Sequence, residues 1–574
     1  MKRKIVISLV SFLWMVCLYS CNSGGASKET SISTDEATIA KGQTLFTQNC
    51  SGCHGFRQNG IGPRLDGITQ DTTAAWIRQF IKDPQKVIES GDPRALLLHK
   101  KYSTPMPSFT YLQDEGIDAI IAFLNTKKRE GNIAAGKDKN AIANPIPDTI
   151  PLSNLVVNLK EIAQFPPSSE GGKLPLTRIT QLANQPGSSD PFILDLRGKL
   201  YKLQNNKPVV YMDMAALRPK FINVPGLATG FGSFAFHPDF AKNGLLYTSH
   251  SEVAGSAKPD FGYPDSIETT VQWVVTEWKT DNPGAVPFSG KGRELFRINM
   301  VQGIHGIQEI AFNPFSKPGD KDYGMLYICI GDGGSVEEGY PFLAHNQEKP
   351  WGTILRIDPA GRNSRNGKYG IPADNPFVNS PDPKVLKEIY AYGFRNPHRI
   401  SWTLSGQMLA CNIGFSNIEA VDLIKPGHDY GWPIREGNFL LKPGGNLDYV
   451  YPLPANDSSF HITYPVAEYD HDEGKAICGG YEYQGHEVPQ LKGKYFFGDI
   501  PTGRLFYVNM ADIKQGTYAP IKEWRVAVNG VVKTLRQLCG TNRVDLHFGQ
   551  DVNGELYILT KPDGKLYRME SVLQ

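Results

Sequence analysis

The chain runs to 574 residues, balances 60 Lys and Arg against 58 Asp and Glu for a formal net charge of +2, and is 21% charged. That length exceeds one ordinary domain and predicts about two or three. The near-neutral balance shows no basic stripe and so excludes nucleic acid as an evident partner. The 58 glycines and 41 prolines are scattered through the chain, which predicts many turns joining short strands.

The first element is an export signal. Lys2, Arg3 and Lys4 precede an uncharged apolar run from Ile5 to Tyr19, too short for a membrane-spanning stop-transfer helix. It ends Leu18-Tyr19-Ser20-Cys21, which resembles a bacterial lipoprotein signal with Cys21 as the lipidated residue. An ordinary secretory cleavage nearby is the alternative. Residues 1–20 are therefore expected to be a signal peptide and 21–36, small and polar, a flexible tether. The mature protein is expected in the cell envelope, held to the membrane by lipid and facing the periplasm or the cell surface. No later apolar run is long enough to span a bilayer.

Residues 37–130 carry the strongest local motif, Cys50-Ser51-Gly52-Cys53-His54. C-x-x-C-H reads as covalent heme c attachment, with both thiols on the heme vinyls and His54 on the iron. A redox dithiol or half a zinc site is the alternative for a bare C-x-x-C. Upstream, Ile39, Gly42, Leu45 and Phe46 recur at helical spacing; downstream, Ile117, Ile120, Ile121 and Leu124 form one face of a closing helix. With Gly62-Pro63 and Met106 between two prolines, the region resembles a class I cytochrome c. The resemblance implies that the Pro63 carbonyl orients His54 and that Met106 is the sixth iron ligand, leaving an electron-transfer module with no open coordination site.

Residues 131–172, rich in Pro, Asn, Ser and Lys, are expected to form a linker. In 173–574 a unit recurs: an apolar strand, a turn containing glycine, and another apolar strand. Phe234 to Phe236 with Gly244 to Tyr247, and Leu546 to Phe548 with Gly554 to Tyr557, are two instances. No long amphipathic helix separates the units, so an all-β propeller is expected, with six or eight blades open on periodicity alone. Cys329, Cys411, Cys478 and Cys539 allow three disulfide pairings or free buried thiols.

Seven motifs then stand in order: Phe234-Ala-Phe-His-Pro-Asp239, Gly331-Asp-Gly-Gly334, Leu355-Arg-Ile-Asp-Pro359, Ile371-Pro-Ala-Asp-Asn-Pro-Phe377, Gly393-Phe-Arg-Asn-Pro397, Asp429-Tyr-Gly-Trp-Pro433 and Gly493-Lys-Tyr-Phe-Phe-Gly-Asp499. Together, over roughly 185–570, they resemble the glucose/sorbosone dehydrogenase family, six-bladed β-propellers that use pyrroloquinoline quinone (PQQ) and calcium. The resemblance implies the following roles. His305 is the catalytic base, with Asp332 fixing its tautomer; Arg395 and Asn396 bind the quinone carbonyls; Lys475 and Arg504 hold the cofactor carboxylates. Trp432 packs over substrate or cofactor, or else serves the core. Glu419 and Asp422, in Asn412 to Asp422, offer oxygen ligands for calcium, although the stretch is one acid poorer than the family's. Leu227-Ala-Thr-Gly230 stands where the family often has a glutamine before two glycines, which puts glucose itself in doubt as the substrate.

The sequence thus predicts a small all-α cytochrome c domain followed by an all-β six-bladed β-propeller. The predicted activity is oxidation of a sugar, polyol or aldehyde with PQQ, passing electrons to the chain's own heme and on to an acceptor of the respiratory chain. A cytochrome fused to a non-catalytic binding propeller is the alternative. A heme-propeller nitrite reductase is a more distant one, since it predicts eight blades and matches none of the seven motifs.

Overall fold

The computed structural model describes residues 31–60, 62–102, 106–129, 139–169, 171, 173–224 and 228–573. The signal, most of the tether and Cys21 lie outside the described residues, as does Leu227.

The N-terminal part is helical, with helices at Glu36–Asn49, Ile68–Asp71, Ala74–Lys82, Pro84–Glu89, Pro93–Lys101 and Asp114–Thr126. Their starts are written in the sequence. Asp35, Thr73, Asp83 and Asp92 each accept a backbone N–H of the first turn, and Pro84 and Pro93 occupy first helical positions where no N–H is needed. The first and last helices cross at Gly42, where a Cβ would sit 1.9 Å from the Ala119 carbonyl oxygen, so only glycine permits the approach. Phe46 stacks on Phe56 at 5.0 Å and tilts against Phe123 at 5.4 Å, filling the space below the crossing.

The remainder is a β-propeller-like domain. Among the described residues there are four separate four-stranded antiparallel sheets, three of them built from strands consecutive in sequence between Ile179 and Tyr392. A nine-stranded sheet combines strands from 477–533 with strands from 546–572. The leading strands 179–184, 231–236, 309–312, 397–402, 477–482 and 546–550 each contact the next, and the last contacts the first, so they line a closed ring.

One expectation needs correction. Leu152–Gln164, placed in the linker, is a 13-residue strand, here β1. It lies parallel to Lys522–Val528 and antiparallel to Lys565–Val572. Val157 and Leu159 are buried in the core those strands build. Its partners lie some 370 residues and more downstream, so no local hairpin signal marks it. The cysteine question is also answered: among the described residues every cysteine is unbridged. No helix among them is long and apolar enough to cross a membrane.

Candidate active site and heme centre

The heme-attachment residues are brought together by one helix end and one loop. Cys50 caps the helix Glu36–Asn49, and the N–H groups of Cys53 and His54 both donate to its carbonyl. Cys50 belongs to an apolar cluster with Phe46, Ile77, Ile81 and Phe109, against which Met106 packs. His54 Nδ1 lies 2.7 Å from the Pro63 carbonyl oxygen, as the cytochrome resemblance implied. A Cβ on Gly62 would stand 2.4 Å from His54 Cε1, so glycine there leaves room for the ring. Burial lowers the His54 pKa despite the Pro63 bond, keeping the ring in its neutral, iron-binding form. A thiol pair, a histidine held by its far nitrogen, a thioether and an apolar wall fit heme c.

The second site lies on the propeller, in loops that lead into the ring strands. His305 sits four residues before the strand Glu309–Phe312, and Arg395 and Asn396 directly precede Pro397–Trp402. Lys475 precedes Ile477–Glu482, and Arg543 precedes Leu546–Gln550. Because these ring strands are each entered through such a loop, the side chains come from separate stretches of sequence, those of Lys475 and Arg543 from two parts of the nine-stranded sheet.

His305 adopts a left-handed backbone (φ +50°), and its neighbours make room for the turn. A Cβ on Gly306 would strike the Trp273 indole at 2.1 Å, and one on Gly331 would lie 2.4 Å from the His305 carbonyl oxygen. His305 Nδ1 lies 2.8 Å from Asp332 Oδ1, which also accepts the Gly334 N–H at 3.0 Å. Asp332 Oδ2 accepts the Trp432 indole N–H at 3.0 Å. Burial alone would raise the Asp332 pKa, but the His305 hydrogen bond and charge, with Arg395 nearby, hold it below the ordinary carboxylate value. Three donors and an ionised acceptor leave His305 with the proton on Nδ1 and its Nε2 lone pair available.

Arg395 is almost wholly buried beside this pair. Its guanidinium donates to the Gly414 carbonyl and to Glu337, and lies 5.2 Å from the Phe415 ring and 5.7 Å from the Trp432 ring. Its Nε has no partner, nor do His398 Nδ1 and His547 Nε2, whose rings lie 5.6 Å apart in the ring of leading strands. Asn396 is tied through its backbone to Asn412 and Ile413. Trp432 is 2% exposed; it belongs to the core and at the same time anchors Asp332.

Not every expected residue joins this group. Lys475 is near it, with Nζ donating to the His471 carbonyl, and burial lowers its pKa. Arg504 does not: two carboxylates, Glu473 and Glu523, occupy its guanidinium, so no charge is left for a cofactor. Glu419 and Asp422 are corrected as a calcium pair. Three residues apart on one strand, they point to opposite faces. Glu419 is used by His471 and the Ile477 N–H, and Asp422 by Asn412. Burial pushes each carboxyl up to about 8. Among the described residues no group of three or more His, Cys, Asp or Glu is arranged to hold a metal ion.

Sequence reasoning missed Glu337, Glu436, Arg543 and Lys561. Glu436 accepts the N–H groups of Phe415, Ser416, Asn417 and Ile418, shaping the loop whose Gly414 carbonyl receives Arg395. Lys561 is buried, and burial lowers its pKa to about 8, with Arg178, Arg543 and Arg399 adding repulsion. Arg543 could have been found by noting that it leads into a strand as Arg395 does. Nothing local marks the others. Lys561 and Arg543, the latter paired through Nε with Asp545, together with the unpartnered nitrogens on Arg395, His398 and His547, fit an anionic, polycarboxylate quinone.

The architecture is thus that of a cytochrome c module followed by a β-propeller-like dehydrogenase domain. A cytochrome c family model matches residues 39–128. The glucose/sorbosone dehydrogenase model matches residues 197–568, and the chain belongs to that family. It is 28% identical over 380 residues to the HIPL1 protein of Arabidopsis thaliana, covering 58% of this chain and 52% of that protein. It is 26% identical over 332 residues to quinoprotein glucose dehydrogenase B of Acinetobacter calcoaceticus, covering 55% and 64% respectively. The chain therefore spans about half to two thirds of the length of these curated relatives. A crystal structure of a glucose dehydrogenase superposes with a TM-score of 0.50 at 18% identity, over 72% of this chain and 99% of the other, which speaks to the fold alone.

Proposed function

We propose that the chain is a quinoprotein dehydrogenase that oxidises a sugar, polyol or aldehyde and passes the electrons to its own c-type heme. The observation that carries this is the His305–Asp332–Trp432 chain set beside buried Arg395 at the entry to the ring strands. When bound, PQQ would supply the hydride acceptor; Arg395, Asn396, Lys475, Arg543 and Lys561 are the residues that would hold it. His305 Nε2 takes the hydroxyl proton as the hydride leaves carbon, while Asp332 holds the tautomer and stabilises the imidazolium that forms. Buried Arg395 offers its charge where negative charge develops on the acceptor. No step is assigned to calcium, since Glu419 and Asp422 do not converge.

The propeller is read as six-bladed, dividing the nine-stranded sheet at the β1 pairing with Lys522–Val528; the ring of six leading strands supports this division. On the same reading β1 supplies the last strand of the sixth blade and closes the ring. The heme passes its electrons to a respiratory acceptor, and Cys21 carries the lipid; release of a Cys21→Ser form from membranes tests the anchor. A second reading, a cytochrome carrying a non-catalytic binding propeller, is favoured by the closure of Arg395 with Glu337. Titration of the apoprotein with quinone, followed by a screen of sugars, polyols and aldehydes for heme reduction, separates the two. A propeller that binds no quinone and a heme that stays oxidised with every substrate would leave the binding module.

A further inference from the structure

The cytochrome module is seated on the propeller by its heme-attachment loop. Gln58 Nε2 donates to the Gly445 carbonyl at 3.0 Å, and Asn59 Nδ2 to Asp448 Oδ2 at 2.6 Å. Lys101 Nζ, from the same module, stands 3.6 Å from that Asp448 oxygen. On the other side of the loop, the positions where side chains would begin at Gly55 and Gly60 lie 3.2 Å from Glu338 Oε1 and 3.9 Å from Glu337 Oε2. Arg57 fills the space beside Gly339, with Nη1 2.9 Å from where a Cβ would be. Two propeller loops that receive the module, 334–339 and 445–448, lie beside the candidate site. Glu337 holds Arg395, and Val336 and Leu447 share one apolar cluster with Trp432 and Phe415.

From this seating we infer that the rim formed by loops 334–339 and 445–448 is a docking surface for the heme module. The docked module acts as a removable cover over His305. Docked, it places the heme-attachment loop directly over the residues that hold Arg395, the short path needed for electron delivery. Undocked, it opens the way to His305 for substrate and frees the heme for its external acceptor. His305, Asp332, Arg395 and Asn396 are all buried in the docked arrangement. The surface is complementary in charge. Arg57, Lys101 and Lys127 on the module face Glu337, Glu338 and Asp448 on the propeller. Contacts of that kind are screened by salt, so ionic strength shifts the balance toward the open form. The hydrogen bonds from Gln58 and Asn59 sit on loops, which suits an interface that must part. The electron-delivery half of this inference rests on the dehydrogenase reading; the covering of His305 does not.

The test uses the full heme-loaded chain carrying Asn59→Cys and Asp448→Cys, oxidised to lock the module or reduced to release it, beside Asp448→Ala as an unlatched form. Carbethoxylation of His305 by diethyl pyrocarbonate, followed by peptide mapping, reads access without any cofactor. The locked form should label at least about tenfold more slowly than Asp448→Ala, with the rate restored by reductant and raised by salt in the native chain. Failure of the pair to cross-link, or equal labelling of His305 in locked and unlatched forms, overturns the cover. Turnover to an external acceptor should fall in the locked form and return on reduction. A chain with no turnover in any form sinks the dehydrogenase reading, while the labelling still decides the cover.

Discussion

Replacing Asp332 by Asn tests the part of the site on which most of the geometry converges. The carboxylate accepts three hydrogen bonds, from His305 Nδ1 at 2.8 Å, Gly334 N at 3.0 Å and Trp432 Nε1 at 3.0 Å, with no exposure to water. An amide of the same shape has only one accepting atom. If its oxygen faces His305 and Gly334, the NH₂ meets the Trp432 N–H and two buried donors oppose each other. If it faces Trp432, the Gly334 N–H is orphaned and His305 must turn its Nδ1 into an acceptor, moving the proton to Nε2 and abolishing the base. Either arrangement leaves a buried donor unsatisfied, at a cost of about 1–3 kcal/mol. Denaturant unfolding of the apoprotein, followed by tryptophan fluorescence, should show that loss at neutral pH. The sign of the pH dependence follows from the lowered pKa of Asp332. Its stabilisation is fully present above the ordinary carboxylate value of about 3.9 and fades as pH falls through the lower folded value. The gap between native and variant should therefore narrow below about pH 4. Equal stability at neutral pH, or a gap unchanged at low pH, would refute the arrangement.

Three further substitutions probe separate parts. Leu159→Ala, on β1, removes a side chain 2% exposed in the propeller core and should cost about 2–5 kcal/mol of propeller stability; an unchanged midpoint would show that β1 is dispensable. Lys561 carries a pKa lowered to about 8, so its burial penalty is fully present below that pH and is relieved as pH rises toward the ordinary lysine value. Lys561→Met should stabilise the apoprotein at neutral pH by at most about 3 kcal/mol while weakening quinone binding, and stabilisation with undiminished binding would remove Lys561 from the cradle. Met106→Ala should lower the heme potential by removing a thioether ligand, as redox titration would show; an unchanged potential would deny Met106 that role.

Much of the heme module was legible because its chemistry is local. Five consecutive residues, one Gly-Pro pair and two helical faces bring Cys50, Cys53, His54 and Pro63 together, since each contact spans a few residues or two helices. The propeller's strands were legible as repeats, but the place of β1 was not, because it pairs with strands at the far end of the chain. His305, Asp332 and Arg395 were singled out through the family resemblance, and the structure brings His305 onto Asp332. Their partners Glu337 and Trp432 depend on how loops from different sheets meet, which no spacing encodes. Arg504 misled for the same reason: a charge in a loop says nothing of the two carboxylates that claim it. Glu419 and Asp422 could have been separated from sequence, since a spacing of three on a strand already sends them to opposite faces.

The central claim is that the propeller site feeds the chain's own heme, and one comparison measures it. Quinone-loaded native protein and its His305→Ala variant are given the same sugar, and heme reduction is followed by absorbance. His305→Ala should still bind quinone and still show a heme reducible by dithionite, while its substrate-driven heme reduction falls by about 10²–10⁴. Heme reduction at equal rates in both proteins would contradict the claim.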